Sequence, residues 1–298
     1  MHVLTSKMIE VQPERVAPFG QSLYDVFMLS AMEGWAVGGT FDEQGTSWSG
    51  ILLHYHGGTW VANSVSTPLF GVYLNSSKDG WTVGFAGKIL HYNGSKWIEI
   101  GSPTSSALRS VFMLSVSDGW IVGDDGTILH YDGISWAAVQ SQPLNGAALR
   151  SVFMLSSKDG WIVGDFGKIF HYSRGLWTLV PGPTSNNLNN VFMISANEGW
   201  AVGDKGTILH YSDGSWRVVN NPSSTNLYSI SMSSSNEGWI SGSDGILIHY
   251  HEGHWVLHVK ATSAGKDLRA LYIVSANEGW VVGKDNVIKH YQNGLWSL

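Results

Sequence analysis

Cysteine is missing from all 298 positions, so neither disulfides nor thiolate-held metals can shape this chain. Charge is scarce too. Lysine and arginine number 17 against 23 acidic residues, a net charge of −6, and no basic tract occurs. That disfavours a surface for nucleic-acid phosphates. No apolar run approaches the ~18–20 residues that a membrane-spanning helix needs. The first residues, MHVLTSKMIEVQPER, have no apolar core of the kind a signal peptide carries, and the compartment is left open. Helical periodicity with caps is absent as well. These gaps leave an all-β chain, 43% hydrophobic, with ample material for a core.

What the chain has in excess is tryptophan, fifteen residues of it, regularly spaced. Gly-Trp pairs end at Trp35, Trp81, Trp120, Trp161, Trp200, Trp239 and Trp280, in steps of 39 to 46 residues. A His-Tyr pair follows each, beginning at His54, His91, His130, His171, His210, His249 and His290. Six residues later comes a second tryptophan: Trp60, Trp97, Trp136, Trp177, Trp216, Trp255 and Trp296. Only Trp48 stands outside both series. Periods near 40 residues mark propellers, solenoids or arrays.

Within the third copy, 108–114 is a β-branched and aromatic run, 120–123 a second, 127–131 a third and 135–139 a fourth, divided by Asp-Gly-type turns. Four short strands joined in this way form a meander. A lone meander cannot bury both faces, whereas seven wedged about an axis can. The expectation is one domain, 1–298: a seven-bladed β-propeller with four-stranded antiparallel blades starting near 22, 69, 108, 149, 188, 227 and 268. Residues 1–21 are read as a closing strand and linker. Ser6–Val11 resembles the outermost strand Ser95–Ile100, and the chain stops two residues after Trp296, so the N-terminal segment is expected to complete the last blade and hide its edge. The first strand of each blade, apolar at consecutive positions, is assigned innermost.

The unit [Asp/Glu]-Gly-Trp-x-Val-Gly-x-x-Gly-x-Ile-Leu-His-Tyr-x-x-Gly-x-x-Trp resembles the repeat of photosystem II stability/assembly factor proteins, within the sialidase-like, Asp-box group of bacterial propellers. The Asp-box hairpin is degenerate here: His130-Tyr-Asp-Gly-Ile-Ser-Trp136 carries histidine in the Ser/Thr region and is one residue short. The resemblance implies the fold. For function it implies a range, from assembly factors and sensor ectodomains to carbohydrate binders and glycosidases.

Repetition supplies an internal control. Residue types shared by all blades are explained by packing, and positions that differ are where a unique site can be written. The acids before Gly-Trp (Glu33, Asp79, Asp118, Asp159, Glu198, Glu237, Glu278) are each expected to bond their own blade's histidine, within one residue of register. His251, His254 and His258 cluster on blade 6 as a conceivable but weak zinc or nickel site, and no metal or other cofactor is assigned. The residue after the leucine that opens the innermost strand varies: Tyr24, Phe70, Arg109, Arg150, Asn189, Tyr228 and Arg269. These are expected to ring the channel mouth on the face of the blade-connecting loops, as a surface for anions or glycans. An insertion at 39–50 brings Phe41, Asp42, Glu43 and Trp48 to that face, and Trp48 joins the candidate set.

A sialidase would need an arginine triad, a Tyr/Glu nucleophile pair and an aspartic acid/base. Arg109, Arg150 and Arg269 invite the comparison, but the Arg-Ile-Pro signature is absent and sialidases have six blades. No nucleophile stands beside an activating base. The reading is a non-catalytic binding or scaffold propeller, monomeric, taking a protein partner; the alternative is a lectin with glycan partners. The octapeptide LRSVFMLS recurs verbatim at 108–115 and 149–156, which suggests recent amplification of the repeat.

Overall fold

The computed structural model describes residues 20–41, 48–139, 146–258 and 265–297. They form seven antiparallel sheets, each of four strands taken in chain order. The expected propeller is what the chain adopts. Blade 3 is representative, with strands Leu108–Ser115, Asp118–Gly123, Ile128–Tyr131 and Trp136–Ala138. Its innermost strand alternates between buried and half-buried residues rather than being buried throughout. The reason is the axial channel: Val111 is packed into the blade, while Phe112 reaches the axis and meets Tyr73 and Phe153 from neighbouring blades at 5.0 Å.

The two tryptophan series explain one another. The Gly-Trp indole of each blade packs on the tyrosine of the next blade's His-Tyr pair and stands edge-on to that blade's second tryptophan. Trp81 lies 5.0 Å from Tyr131 and 5.3 Å from Trp136, and Trp161 lies 4.7 Å from Tyr211 and 5.4 Å from Trp216. Edge-to-face pairs of this kind add to the large apolar area each ring removes from water. The last interface repeats the pattern, since Trp280 of blade 7 sits 4.6 Å from Tyr55 and 5.5 Å from Trp60 of blade 1. Blade 7 therefore packs on blade 1 as every other neighbour pair does. Its own fourth strand is short, Leu295–Trp296. The segment 6–11, expected to close the ring, lies outside the described residues.

A second set of bonds stitches the blades near the axis. The third residue of most innermost strands accepts a hydrogen bond from a backbone N–H of the next blade. Ser110 takes it from Val152 (3.4 Å), Ser151 from Val191 (3.3 Å), Asn190 from Ile230 (2.9 Å) and Ser229 from Leu271 (3.2 Å). Blade 1 places Asp25 there, accepting from both Val72 and Val26 at 2.9 Å. Burial in the narrow channel pushes that carboxyl up to about 7, against the lowering effect of the two N–H donors.

Between the second and third strands, six blades make a three-residue 3₁₀ turn instead of a simple hairpin. Its central residue takes the left-handed region, as Asp125 (φ 55°) and Phe166 (φ 58°) do. A glycine follows in five of the six blades, and Asn286 (φ 58°) takes its place in blade 7. Gly87 has φ +72°, and a Cβ there would lie 2.0 Å from the Thr104 carbonyl oxygen. Blade 1 replaces the turn with long strands, Glu33–Phe41 and Trp48–His56, around its insertion. No helix among the described residues is long and apolar enough to cross a membrane.

Candidate functional site

The face of the blade-connecting loops carries the irregular residues. Each innermost strand has a leucine of 0% exposure at its start, the first residue in blades 2 to 7 and the second, Leu23, in blade 1, and the period-2 alternation of a strand turns the next residue away from that core. In all seven blades it turns to the channel mouth. Tyr24, Phe70, Arg109, Arg150, Asn189, Tyr228 and Arg269 line one cavity of about 180 Å³. The residues named from the sequence as a rim are thus brought together, one from each blade. Tyr24 and Phe70 meet edge-on at 5.3 Å. Arg109 lies over Phe70 at 5.0 Å, and Arg269 over Tyr24 at 5.3 Å and Tyr228 at 5.8 Å.

Sequence reading missed the aspartates that hold this rim. Arg109 donates through Nε and Nη2 to both oxygens of Asp124 at 2.8 and 2.7 Å, and Arg150 donates through Nε to Asp165 at 2.6 Å. Asn189 bridges Asp204 (2.9 Å) and the Leu227 carbonyl (2.8 Å). A signal for them exists in the repeats. In blades 2 to 7 the first position of the 3₁₀ turn comes fifteen residues after the rim residue, and it is Asp in blades 3 to 5, Phe85 opposite Phe70, and Ser243 opposite Tyr228. In blade 7 it is Lys284, a cation, and Arg269 accordingly turns to Asp267 at 3.4 Å. The rim is therefore not a naked cationic ring. Its guanidiniums are oriented by carboxylates behind them, and the three arginine side chains stay 32–40% exposed. Burial first, and Asp267 second, raise the Tyr228 hydroxyl above its ordinary value, so it remains a neutral donor at physiological pH.

Trp48 is not part of this cavity. It packs 5.2 Å from Phe85, beside a neighbouring hollow of about 360 Å³ that also includes Lys88 and Glu99. Phe41 links the two regions, 5.3 Å from Phe85 and 6.4 Å from Phe70. Trp48 and Phe41 are each 41% exposed, so the insertion extends an aromatic surface outward from the rim. Asp42 and Glu43 lie outside the described residues.

The opposite face is built by repetition. The strand register sets each histidine opposite the Gly-Trp indole (Trp120 to His130, Trp161 to His171), and the acid two residues earlier reaches the imidazole diagonally. The offset is two residues rather than the expected one, because acid, indole and imidazole must share one side of the sheet. Asp79, Asp118 and Asp159 accept from His91, His130 and His171 at 2.7, 2.9 and 2.8 Å, and Glu237 and Glu278 accept from His249 and His290. Blade 5 is looser, with Glu198 and His210 3.9 Å apart. Desolvation there pulls the imidazole below its ordinary value, with Glu198 opposing the shift. The blade 6 histidines do not converge. His251 and His254 face each other across the hairpin, while His258 packs edge-on to Trp239 at 5.0 Å. The fourteen in-register tryptophans sit at the blade interfaces, where they do not offer the repeated open platform that a lectin would use.

A family model described as photosynthesis system II assembly factor YCF48 matches residues 171–257, from the third strand of blade 4 to the end of blade 6. The expected resemblance to the assembly-factor propellers thus holds for the repeat. No curated protein matches the sequence. Among solved structures, the chain is similar to YCF48 bound to D1 peptide, at 18% identity and a TM-score of 0.75, over 93% of this chain and 94% of that one. It is similar to YCF48 from Cyanidioschyzon merolae at 16% identity and a TM-score of 0.73, covering 93% and 97%. The WD40 β-propeller domain of Doa1 is equally alike in shape, at 12% identity and a TM-score of 0.74, covering 93% and 95%. Identities this low establish the fold.

Proposed function

We propose that this propeller is a non-catalytic binding module that takes a carboxylate-bearing segment of a protein partner on the channel-mouth rim. One observation carries the reading: a position that differs between otherwise repeated blades is the one whose side chains, one from each blade, line a single cavity. Arg109, Arg150 and Arg269 supply charge-assisted donors for carboxylates. Tyr24, Phe70 and Tyr228 supply flat apolar surface, with Phe41, Trp48 and Phe85 continuing it beside blade 1. Aromatic and arginine side chains are the types that dominate binding energy at protein interfaces. The similar YCF48 structure, which holds a D1 peptide, supports a peptide as the kind of ligand this fold accommodates.

The test is an array of synthetic peptides, half with free carboxylates and half with the same residues amidated. Wild-type protein is expected to retain the carboxylate set, and the R109A/R150A/R269A variant to lose at least roughly tenfold in affinity. Equal retention of amidated peptides, or undiminished capture by the variant, would contradict the proposal.

A further inference from the structure

The face opposite the rim, where an acid–imidazole pair locks each blade's strands together, is the lock face, and there blade 1 carries a side-chain group that most blades lack. Two residues beyond the lock histidine, blades 2, 3, 4, 5 and 7 have Asn93, Asp132, Ser173, Ser212 and Gln292, whereas blades 1 and 6 have His56 and His251. His54 and His56 are alternate residues of one strand and so share a side of the sheet, and Glu33 stands directly across from His56 on the neighbouring strand. The Glu33 carboxylate receives one imidazole on each oxygen: His54 Nε2 at 2.6 Å on Oε1 and His56 Nδ1 at 2.5 Å on Oε2. One ligand atom from each of the three residues falls within 4.8 Å of the others. Trp35 stacks flat on His54, 4.2 Å away at an interplanar angle of 7°, which fixes that ring. Burial pushes the Glu33 carboxyl up, but the two imidazoles outweigh it and hold the group below its ordinary value.

Two imidazole nitrogens and one carboxylate oxygen are the donor set of a borderline divalent ion with an open position. We propose that Glu33, His54 and His56 form a site for a divalent transition-metal ion, with Zn²⁺ as the probe of that class. Ligands about 2.0–2.1 Å from a tetrahedral ion stand roughly 3.3 Å apart, so an acid–imidazole contact opens by less than an ångström, and separations that reach toward the 4.8 Å bound close by up to about 1.5 Å. His56, with its side chain 75% exposed, is free to make that movement and leaves room for water on the ion. The protons balance simply. Each neutral imidazole keeps one proton, His54 on Nδ1 and His56 on Nε2, and turns the nitrogen that now donates to Glu33 toward the metal.

The place gives the ion a role. Between the two histidines is Tyr55, which points to the other side of the sheet and packs on Trp280, and the following strand carries Trp60, the other half of that contact. An ion on Glu33, His54 and His56 would clamp the blade 1 strands that receive blade 7. Blade 6 provides the control within the same molecule. It has the same residue types, Glu237, His249 and His251, but His251 stands 3.4 Å from Glu237 on one nitrogen and 3.7 Å from Glu252 on the other. Its three donors do not gather as those of blade 1 do.

The experiment uses untagged, chelator-treated protein, calorimetric titration with Zn²⁺, the visible spectrum of bound Co²⁺, and melting with and without Zn²⁺. Wild type should bind one ion tightly, show Co²⁺ bands of nitrogen and oxygen ligation, and melt higher with Zn²⁺. The H56S variant, carrying the residue that blades 4 and 5 use, should bind roughly tenfold or more weakly and lose the melting shift, while H251S behaves as wild type. H56N, the blade 2 residue, repeats the test should H56S fail to fold. Equal Zn²⁺ affinity in wild type and the His56 variants, or the same loss in H251S, would overturn the site.

Discussion

The two faces of this propeller follow opposite rules. On the lock face, acid, indole and imidazole recur in every blade, and six of the seven acid–imidazole pairs close to hydrogen-bonding distance. On the rim face the equivalent position is tyrosine, phenylalanine, arginine, asparagine or tyrosine again, and no two adjacent blades other than 3 and 4 agree. Uniformity serves packing, because each blade must present its neighbour with the same surface if the ring is to close. Variation serves recognition, because a rotationally uniform rim could not hold a ligand in one orientation. The difference teaches where stability and binding are separately encoded.

That separation can be broken most forcefully at an interface tryptophan. Trp161→Ala removes a ring of 2% exposure from the blade 4–blade 5 seam and should cost about 3–5 kcal/mol, read as a lower denaturant midpoint. The second largest effect lies at Asp25. Its folded-state value near 7 stands above the unfolded 3.8, so the folded protein holds a proton that the unfolded chain releases. Stability from this group is fully present below about pH 4 and is lost as pH rises through 7, an effect of order a few kcal/mol. Asp25→Asn, which copies Asn190 of blade 5, should flatten that slope in melting temperatures measured across the same range. An unchanged slope would remove Asp25 as its source.

Smaller still is the effect of a single lock. Asp159→Asn weakens the bond to His171 and should cost about 1 kcal/mol, with no change in peptide capture. The smallest effect on stability is expected at the rim. Replacing Arg109, Arg150 and Arg269 with alanine breaks partly exposed ion pairs, each worth about 0–1 kcal/mol, so the melting temperature should fall by only a few degrees. Removing Asp124 instead would leave Arg109 without the carboxylate that orients it, and should weaken peptide capture less than removing the arginine itself.

Much of the architecture was legible because seven copies of one unit report the same constraints seven times. The Gly-Trp, His-Tyr and second-Trp anchors gave the number of blades, and the residue after the opening leucine gave the rim. The pairing of Arg109 with Asp124 was written in the sequence as well, as a fifteen-residue spacing that matches donor to acid, but it shows only once the 3₁₀ turn is known to fold back over the innermost strand. Trp48 could not be placed from the sequence, since strand extension around the insertion, rather than the repeat, decides that it meets Phe85. The raised Asp25 carboxyl was hidden for a similar reason: its enclosure comes from the axis, which no single blade contains.

The most direct measurement sets the two faces against each other in one pair of assays. Peptide affinity and denaturant midpoint are determined for R109A/R150A/R269A and for D118N/D159N/E237Q. The account predicts a crossed result, with the rim variant losing at least roughly tenfold in affinity at a near-native midpoint, and the lock variant losing about 2–3 kcal/mol of stability at unchanged affinity. Parallel losses, with both variants falling equally in both assays, would contradict the division of labour between the faces.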